Sequence, residues 1–178
     1  MWAATRISSA SGRPSNRLRR AGAPSVFLVD TNVISEARKR ARADPGVAGF
    51  FERAARDGDA LYLSVITVGE LRRGIERIRR RGDADQARRI EVWLDLVLDQ
   101  YADHVLDVDA DVAQVWGRLC VPHPEHPIDK QIAATALIHD LVVVTRNTRD
   151  YAGTGARVMN PFAAPASDPA PAPAPPSE

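Results

Sequence analysis

Four acidic side chains and one amide stand where a charge is costly or where a helix begins. Asp30 ends the apolar run Phe27-Leu28-Val29 in "FLVDTNVISEARK". A carboxylate buried there without a partner costs several kcal/mol or is driven to protonate. Glu70 follows a second apolar run, "LYLSVI" (61–66), and Asp129 opens the helical pattern "IDKQIAATALIH". Asn147 and Asp150 come directly after "LVVVT" (141–145). Each has a plainer explanation alone. Asp30 can start a turn or cap a helix. Thr67-Val68-Gly69-Glu70 has the form of a capping box. Asp129 suits a helix dipole, and Asp150 a solvated loop. Together they say more, because three or four neighbouring carboxylates repel and raise one another's pKa unless a cation is present. A hard cation such as Mg²⁺ is held by one or two carboxylates, water and a substrate phosphate. Such an ion activates water and stabilises charge on the attacking and leaving oxygens of a phosphodiester.

The intervening chain has the elements to bring these positions together. Strand-length apolar runs at 25–29, 61–66, 104–108 and 141–145 alternate with helical patterns. The helical patterns include 31–42, a short helix after Asp44-Pro45-Gly46, and one lined by Val68, Leu71, Ile75 and Ile78. Further helices open at Asp83, carry Val112, Val115, Trp116 and Leu119 on one face, and run from Ile128 to His139. Alternating strands and helices predict an α/β fold with a mainly parallel central sheet covered on both faces. Ligands in such folds bind beyond the carboxyl ends of the strands. Asp30, Glu70, Asn147 and Asp150 fall on that edge by position, and Asp129 joins them if its helix starts there.

Composition narrows the partners. The chain has 178 residues, 44% of them hydrophobic, enough for one domain with a real core. Residues 1–24 are Arg/Ser-rich and acid-poor, as transit peptides are, but lack the apolar segment of a secretory signal; a dispensable extension is expected. Residues 161–178 are Pro/Ala-rich and cannot form a core, which leaves 25–160 as the domain. Five Arg in the head and Asp168 and Glu178 in the tail account for the overall charge of +1; without them 19 basic face 21 acidic side chains. No global excess of positive charge points to nucleic acid. A single cysteine, Cys120, excludes an intramolecular disulfide and fits a reducing compartment, here the cytoplasm. No apolar run approaches the roughly 20 residues of a membrane span.

"VDTNVISE" (29–36), "LSVITVGELRRGIE" (63–76), "PIDKQIAATALIH" (127–139) and the stretch from Val143 to Pro161 resemble, in that order, the PIN-domain family. They look most like its VapC toxins of bacterial toxin–antitoxin pairs, in the FitB-like branch. The resemblance implies a three-layer sandwich and a Mg²⁺- or Mn²⁺-dependent endoribonuclease that hydrolyses RNA with a metal-activated water. It also implies a homodimer held shut by a cognate antitoxin, with DNA contacted only through that antitoxin. Carried over, the acids are Asp30, Glu70 and Asp129. Asp30 and Asp129 would be direct metal ligands, with Glu70 ligating through water or positioning the nucleophile. This chain departs from the pattern after the last core strand, where many relatives have an acid and it has Asn147. Asn147 would then bind through its amide oxygen and Asp150 supply the charge.

Other features read more modestly. Arg72, Arg73, Arg77, Arg79, Arg80, Arg81, Arg88 and Arg89 form a solvated face in the plainer reading and an RNA-backbone track near Glu70 in the functional one. Thr31 and Asn32 suit turn formation. His123 and His126 in "VPHPEHP" fit a stiff loop better than a ligand pair, and Trp93 and Trp116 fit core or dimer interface better than base stacking. Two other function classes compete. One is a non-catalytic, partner-bound component of a DNA-binding repressor complex. The other is an aspartyl-nucleophile phosphotransferase, disfavoured because Asn32 stands where its second Asp belongs.

Overall fold

The computed structural model describes residues 25–162, so the readings for 1–24 and 163–178 lie outside the described residues. The chain runs β1 (Val26–Val29), α1 (Thr31–Ala37), α2 (Pro45–Asp57), β2 (Ala60–Ser64), α3 (Val65–Arg80), α4 (Ala84–Gln100), β3 (Val105–Leu106), α5 (Ala110–Leu119), α6 (Pro127–His139), β4 (Val142–Val144) and β5 (Arg157–Met159). The strands form one parallel sheet in the order β3-β2-β1-β4-β5. Chain order therefore reverses direction between β1 and β4, where Phe27, Leu28 and Val29 lie beside Val142, Val143 and Val144. A crevice opens beyond the strands' carboxyl ends at such a reversal.

Successive side chains on a strand point to opposite faces, and β1 divides the core accordingly. Val29 belongs to a cluster with Val33, Ile34, Phe50, Leu63, Leu71, Ile75 and Leu94, which is covered by α1 to α4. Leu28 belongs to a second cluster with Ile132, Ala133, Ala136, Val143 and Tyr151 under α6. The result is the expected sandwich of helices, parallel sheet and helices. Among the described residues, no helix is long and apolar enough to cross a membrane.

Local chemistry sets several boundaries. Asp44 caps α2 by accepting from the amides of Gly46 and Val47, and Pro45 takes the first helical position. Gly46 sits where a Cβ would meet the carbonyl oxygen of Pro161 at 2.0 Å. Gly46→Ala is therefore expected to destabilise the fold by about 1–3 kcal/mol despite alanine's better helix propensity, because backbone must shift. Thermal denaturation of the variant checks this; an unchanged or higher melting temperature would refute the packing argument.

The structure corrects four sequence expectations. The 31–42 helix stops at Ala37 and a separate 3₁₀ turn follows, with Arg40 in the left-handed region at φ 54°. β2 ends at Ser64, two residues early, because the Ser64 side chain accepts from the Ile66 amide and starts α3 there. Thr67 and Glu70 consequently lie inside α3, and no capping box forms; the Thr67 hydroxyl is buried without a hydrogen-bond partner. The third strand shrinks to Val105–Leu106, since His104 is buried in a 3₁₀ turn with its ring 4.9 Å from that of Tyr62. Finally, β5 pairs with the edge of β4, a strand the periodicity does not signal.

The arginine face is partly structural. Arg72 pairs with Glu91 and lies 3.8 Å from Asp95 across α3 and α4, while Arg79 pairs with Glu76 and, at 2.8 Å, with Glu91. Arg73 alone of the group reaches Glu70, at 3.4 Å. Trp93 packs against the α1–α4 core with the Arg38 guanidinium over its ring, and the half-buried Trp116 donates to the Pro127 carbonyl at 3.1 Å.

Candidate functional site

Asp30 caps α1 at the mouth of the β1–β4 crevice and is 3% exposed. Three donors converge on it. The Thr31 amide donates to Oδ1 at 2.6 Å, and the Asn32 Nδ2 and Thr145 hydroxyl donate to Oδ2 at 2.7 and 2.6 Å. Thr145 follows β4 directly, so the β1–β4 register brings it to Asp30. Its hydroxyl also accepts from Asn32 Nδ2 and from the Asn147 amide, both at 3.0 Å, which uses its one donor and both lone pairs. Asn32 Oδ1 accepts from the Arg146 amide at 3.0 Å, and this fixes which way the Asn32 amide faces. Burial raises the Asp30 pKa above its ordinary value and Glu70 adds to the rise, while the bonds from Thr145, Thr31 and Asn32 oppose it. A carboxylate has about four acceptor positions, so three bonds leave capacity for a ligand.

The other acids gather around this anchor. Glu70, in the second turn of α3, lies 3.4 Å from the Thr31 hydroxyl and from Arg73. Asp129 sits in the first turn of α6, half-buried, with its pKa pushed up to about 6. Desolvation is the largest cause, followed by the charges of Asp30 and Asp150; His126 opposes them and Glu70 contributes least. Asp150 lies in the 3₁₀ turn after β4 (Thr148–Tyr151) and faces His126, as Asp129 does. Asn147 is exposed and joins the site through its backbone amide. The structure thus brings Asp30, Glu70, Asp129 and Asp150 to one sheet edge, with Asn147 at its margin.

Two residues here escape a reading of the sequence, and a third, His126, is set aside there as part of a stiff loop. Thr145 looks only like the end of a strand. Tyr151 is 2% exposed, and its hydroxyl has no hydrogen-bond partner. Its pKa is pushed well above the ordinary value, chiefly by burial, and the charges of Asp30, Asp129, Asp150 and Glu70 add to the rise. His126 leaves the loop in which the sequence pairs it with His123. Its ring faces Asp129 and Asp150, whereas His123 lies beside Glu125 at 3.3 Å.

Residues 27–154 match the family model described as PIN domain. The VapC ribonuclease Y4jK of Sinorhizobium fredii is 33% identical over 145 residues, which cover 77% of this chain and 98% of that protein. Toxin FitB of Neisseria gonorrhoeae is 32% identical over 143 residues, covering 77% of this chain and 99% of that one. The solved structure of FitAcB from Neisseria gonorrhoeae superposes with a TM-score of 0.66 at 30% identity, over 78% of this chain and 99% of that chain. The chain belongs to the PIN-domain family, a family of nuclease folds. Within it the chain falls among the VapC and FitB toxins.

The residues fit a divalent cation. The charges of Asp30, Asp150 and Glu70 all raise the Asp129 pKa, a repulsion that a cation would relieve. The Tyr151 hydroxyl, next in sequence to Asp150, is a buried polar group without a partner among the described residues. All-oxygen donor sets suit Mg²⁺ and Mn²⁺.

Proposed function

We propose that this protein is a metal-dependent endoribonuclease toxin of a toxin–antitoxin pair, acting in the cytoplasm on RNA phosphodiesters and held inactive by a cognate antitoxin. The observation that carries the reading is the gathering of Asp30, Glu70, Asp129 and Asp150 at the β1–β4 crevice, with the Asp129 pKa raised to about 6. A chain that keeps such mutually repelling charges together loses stability unless something binds them. The kinship with a VapC ribonuclease and with toxin FitB supports the choice of chemistry.

Asp30 and Asp129 would hold the ion, Mg²⁺ or Mn²⁺, from the strand end and the helix start. When bound, the ion supplies Lewis acidity to the scissile phosphate and lowers the pKa of an attacking water. Glu70 stands across Thr31 from Asp30, 29% exposed in its side chain, placed to orient that water and take its proton. Asp150 adds the charge that Asn147 lacks. Arg73 beside Glu70, and the exposed Arg149 next to Asp150, offer phosphate contacts that position RNA without reading sequence. Because Arg72 and Arg79 are engaged between α3 and α4, the RNA track would fall to Arg73, Arg77, Arg80, Arg81, Arg88 and Arg89. A homodimer completes the reading by the same kinship.

The test is cleavage of total cellular RNA by partner-free protein with Mn²⁺, Mg²⁺ or EDTA, beside Asp129→Asn. Discrete fragments that need metal and Asp129 are expected. Metal-independent cleavage would overturn the metal dependence, and no cleavage by protein that binds Mn²⁺ would overturn the nuclease reading. The second of these results would leave the partner-bound repressor role.

A further inference from the structure

His126 occupies a position that local chemistry does not favour. Its backbone lies in the left-handed region at φ 54° and ψ 47°, immediately before Pro127. A non-glycine residue there costs on the order of 1–2 kcal/mol, and a following proline disfavours helical backbone as well. Its side chain makes no capping bond to α6 in return. The segment is nevertheless tied down from both sides. The buried Lys130 ammonium donates to the His123 carbonyl, and the Trp116 indole donates to the Pro127 carbonyl.

The ring ends up facing two carboxylates across a gap. Its Nδ1 lies 3.9 Å from Asp129 Oδ2 and 3.8 Å from Asp150 Oδ1. Both separations exceed hydrogen-bond range, so the ring does not cap either acid. One ligand atom from each residue falls within 4.8 Å of the other two. Octahedral ligands about 2.1 Å from an ion are about 3 Å apart across an edge and about 4.2 Å across the diameter. These separations are wider than an octahedral edge, and small side-chain rotations would close the three atoms on one ion. The Tyr151 hydroxyl, next in sequence to Asp150, is buried without a hydrogen-bond partner among the described residues.

We propose that His126 is a nitrogen ligand of the divalent-ion site, acting with Asp129 and Asp150, and that it biases this site toward Mn²⁺ over Mg²⁺. Imidazole favours transition metals, while Mg²⁺ prefers oxygen. The inference rests on the metal reading above but adds a donor of a different chemical kind. It makes the ion choice a property of this chain's own loop.

The test uses the full-length protein with Mn²⁺, pulsed electron paramagnetic resonance and calorimetric competition with Mg²⁺. The wild type is expected to bind Mn²⁺ and show nitrogen hyperfine modulation. That modulation should vanish in His126→Gln and persist in His123→Gln. The preference for Mn²⁺ over Mg²⁺ should fall on the order of tenfold in His126→Gln. Bound Mn²⁺ without nitrogen modulation in the wild type would overturn the role of His126 and leave the carboxylate site standing, and that result depends on no variant folding. Modulation that persists in His126→Gln would do the same. Failure of the wild type to bind Mn²⁺ at all would overturn both readings.

Discussion

Asp30→Asn is expected to cost RNA cleavage about a hundredfold or more while leaving the fold intact. Outer ligand-supporting groups alone are worth about 10–100-fold in metal affinity or activity, and Asp30 is proposed above as a direct ligand. The stability side is a balance of two opposing changes. Three donors point at the Asp30 carboxylate, so an amide NH₂ turned toward Asn32 Nδ2 or Thr145 leaves one donor facing another. That mismatch costs about 1–3 kcal/mol. Against it, the substitution removes a carboxylate whose burial already raises its pKa, and so relieves a desolvation penalty. The melting temperature should therefore move by no more than about 5 °C. Calorimetry with Mn²⁺ supplies the decisive readout. Unchanged Mn²⁺ binding in Asp30→Asn combined with Asp129→Asn would remove both residues from the metal site. A collapse of the fold in Asp30→Asn would instead make the Thr31, Asn32 and Thr145 network a structural device first.

The parts of this site legible in the sequence are those fixed by short-range order. Asp30 and Asp129 are readable because an apolar run ends at the first and a helical period begins at the second. Neither position depends on which strands become neighbours. Glu70 is found as a site residue, yet its local setting is misread, because the apolar run through Val65 and Ile66 conceals where β2 ends. Only the competition between Ser64 and Thr67 for the cap decides it, and the buried Ser64, at the end of β2, wins. Thr145 acquires its part from the β1–β4 register, a long-range pairing. His126 is less legible still. Its ring direction follows from a left-handed residue, held by bonds to His123 and Pro127 from side chains on α6 and α5. The short β5 carries no alternation of its own and exists because β4 offers it an edge.

The Asp129 pKa makes a second prediction, in which pH and metal act with opposite sign. The folded-state value of about 6 stands above the ordinary 3.8. Between those values the folded protein binds more protons than the unfolded chain, so stability falls as pH rises through the interval. The penalty is complete above about pH 6 and disappears below about pH 4. Asp30, raised as well, adds in the same direction. Glu36 works against them at the acid end. Its pKa is lowered, chiefly by the Lys39 hydrogen bond, and its stabilising share is lost as pH falls below the ordinary 4.5. The window that excludes Glu36 is thus about pH 5 to 7.5, and within it Asp129→Asn separates the share of Asp129 from that of Asp30. In EDTA the wild type should melt a few degrees higher at about pH 5.5 than at about pH 7.5, a difference of about 0.5–1 kcal/mol for a half-buried group. Asp129→Asn should show a flatter profile and, at the higher pH, a higher melting temperature than the wild type. Mn²⁺ at a hundred times its dissociation constant adds about 2.7 kcal/mol to whichever folded form binds it. It competes with protons for the same carboxylate, so its stabilisation should be greatest at the higher pH and reverse the trend seen in EDTA. An equal pH trend in wild type and Asp129→Asn would assign the effect to other groups. Stabilisation of Asp129→Asn by Mn²⁺ to the same extent would show that the ion is held without this carboxylate.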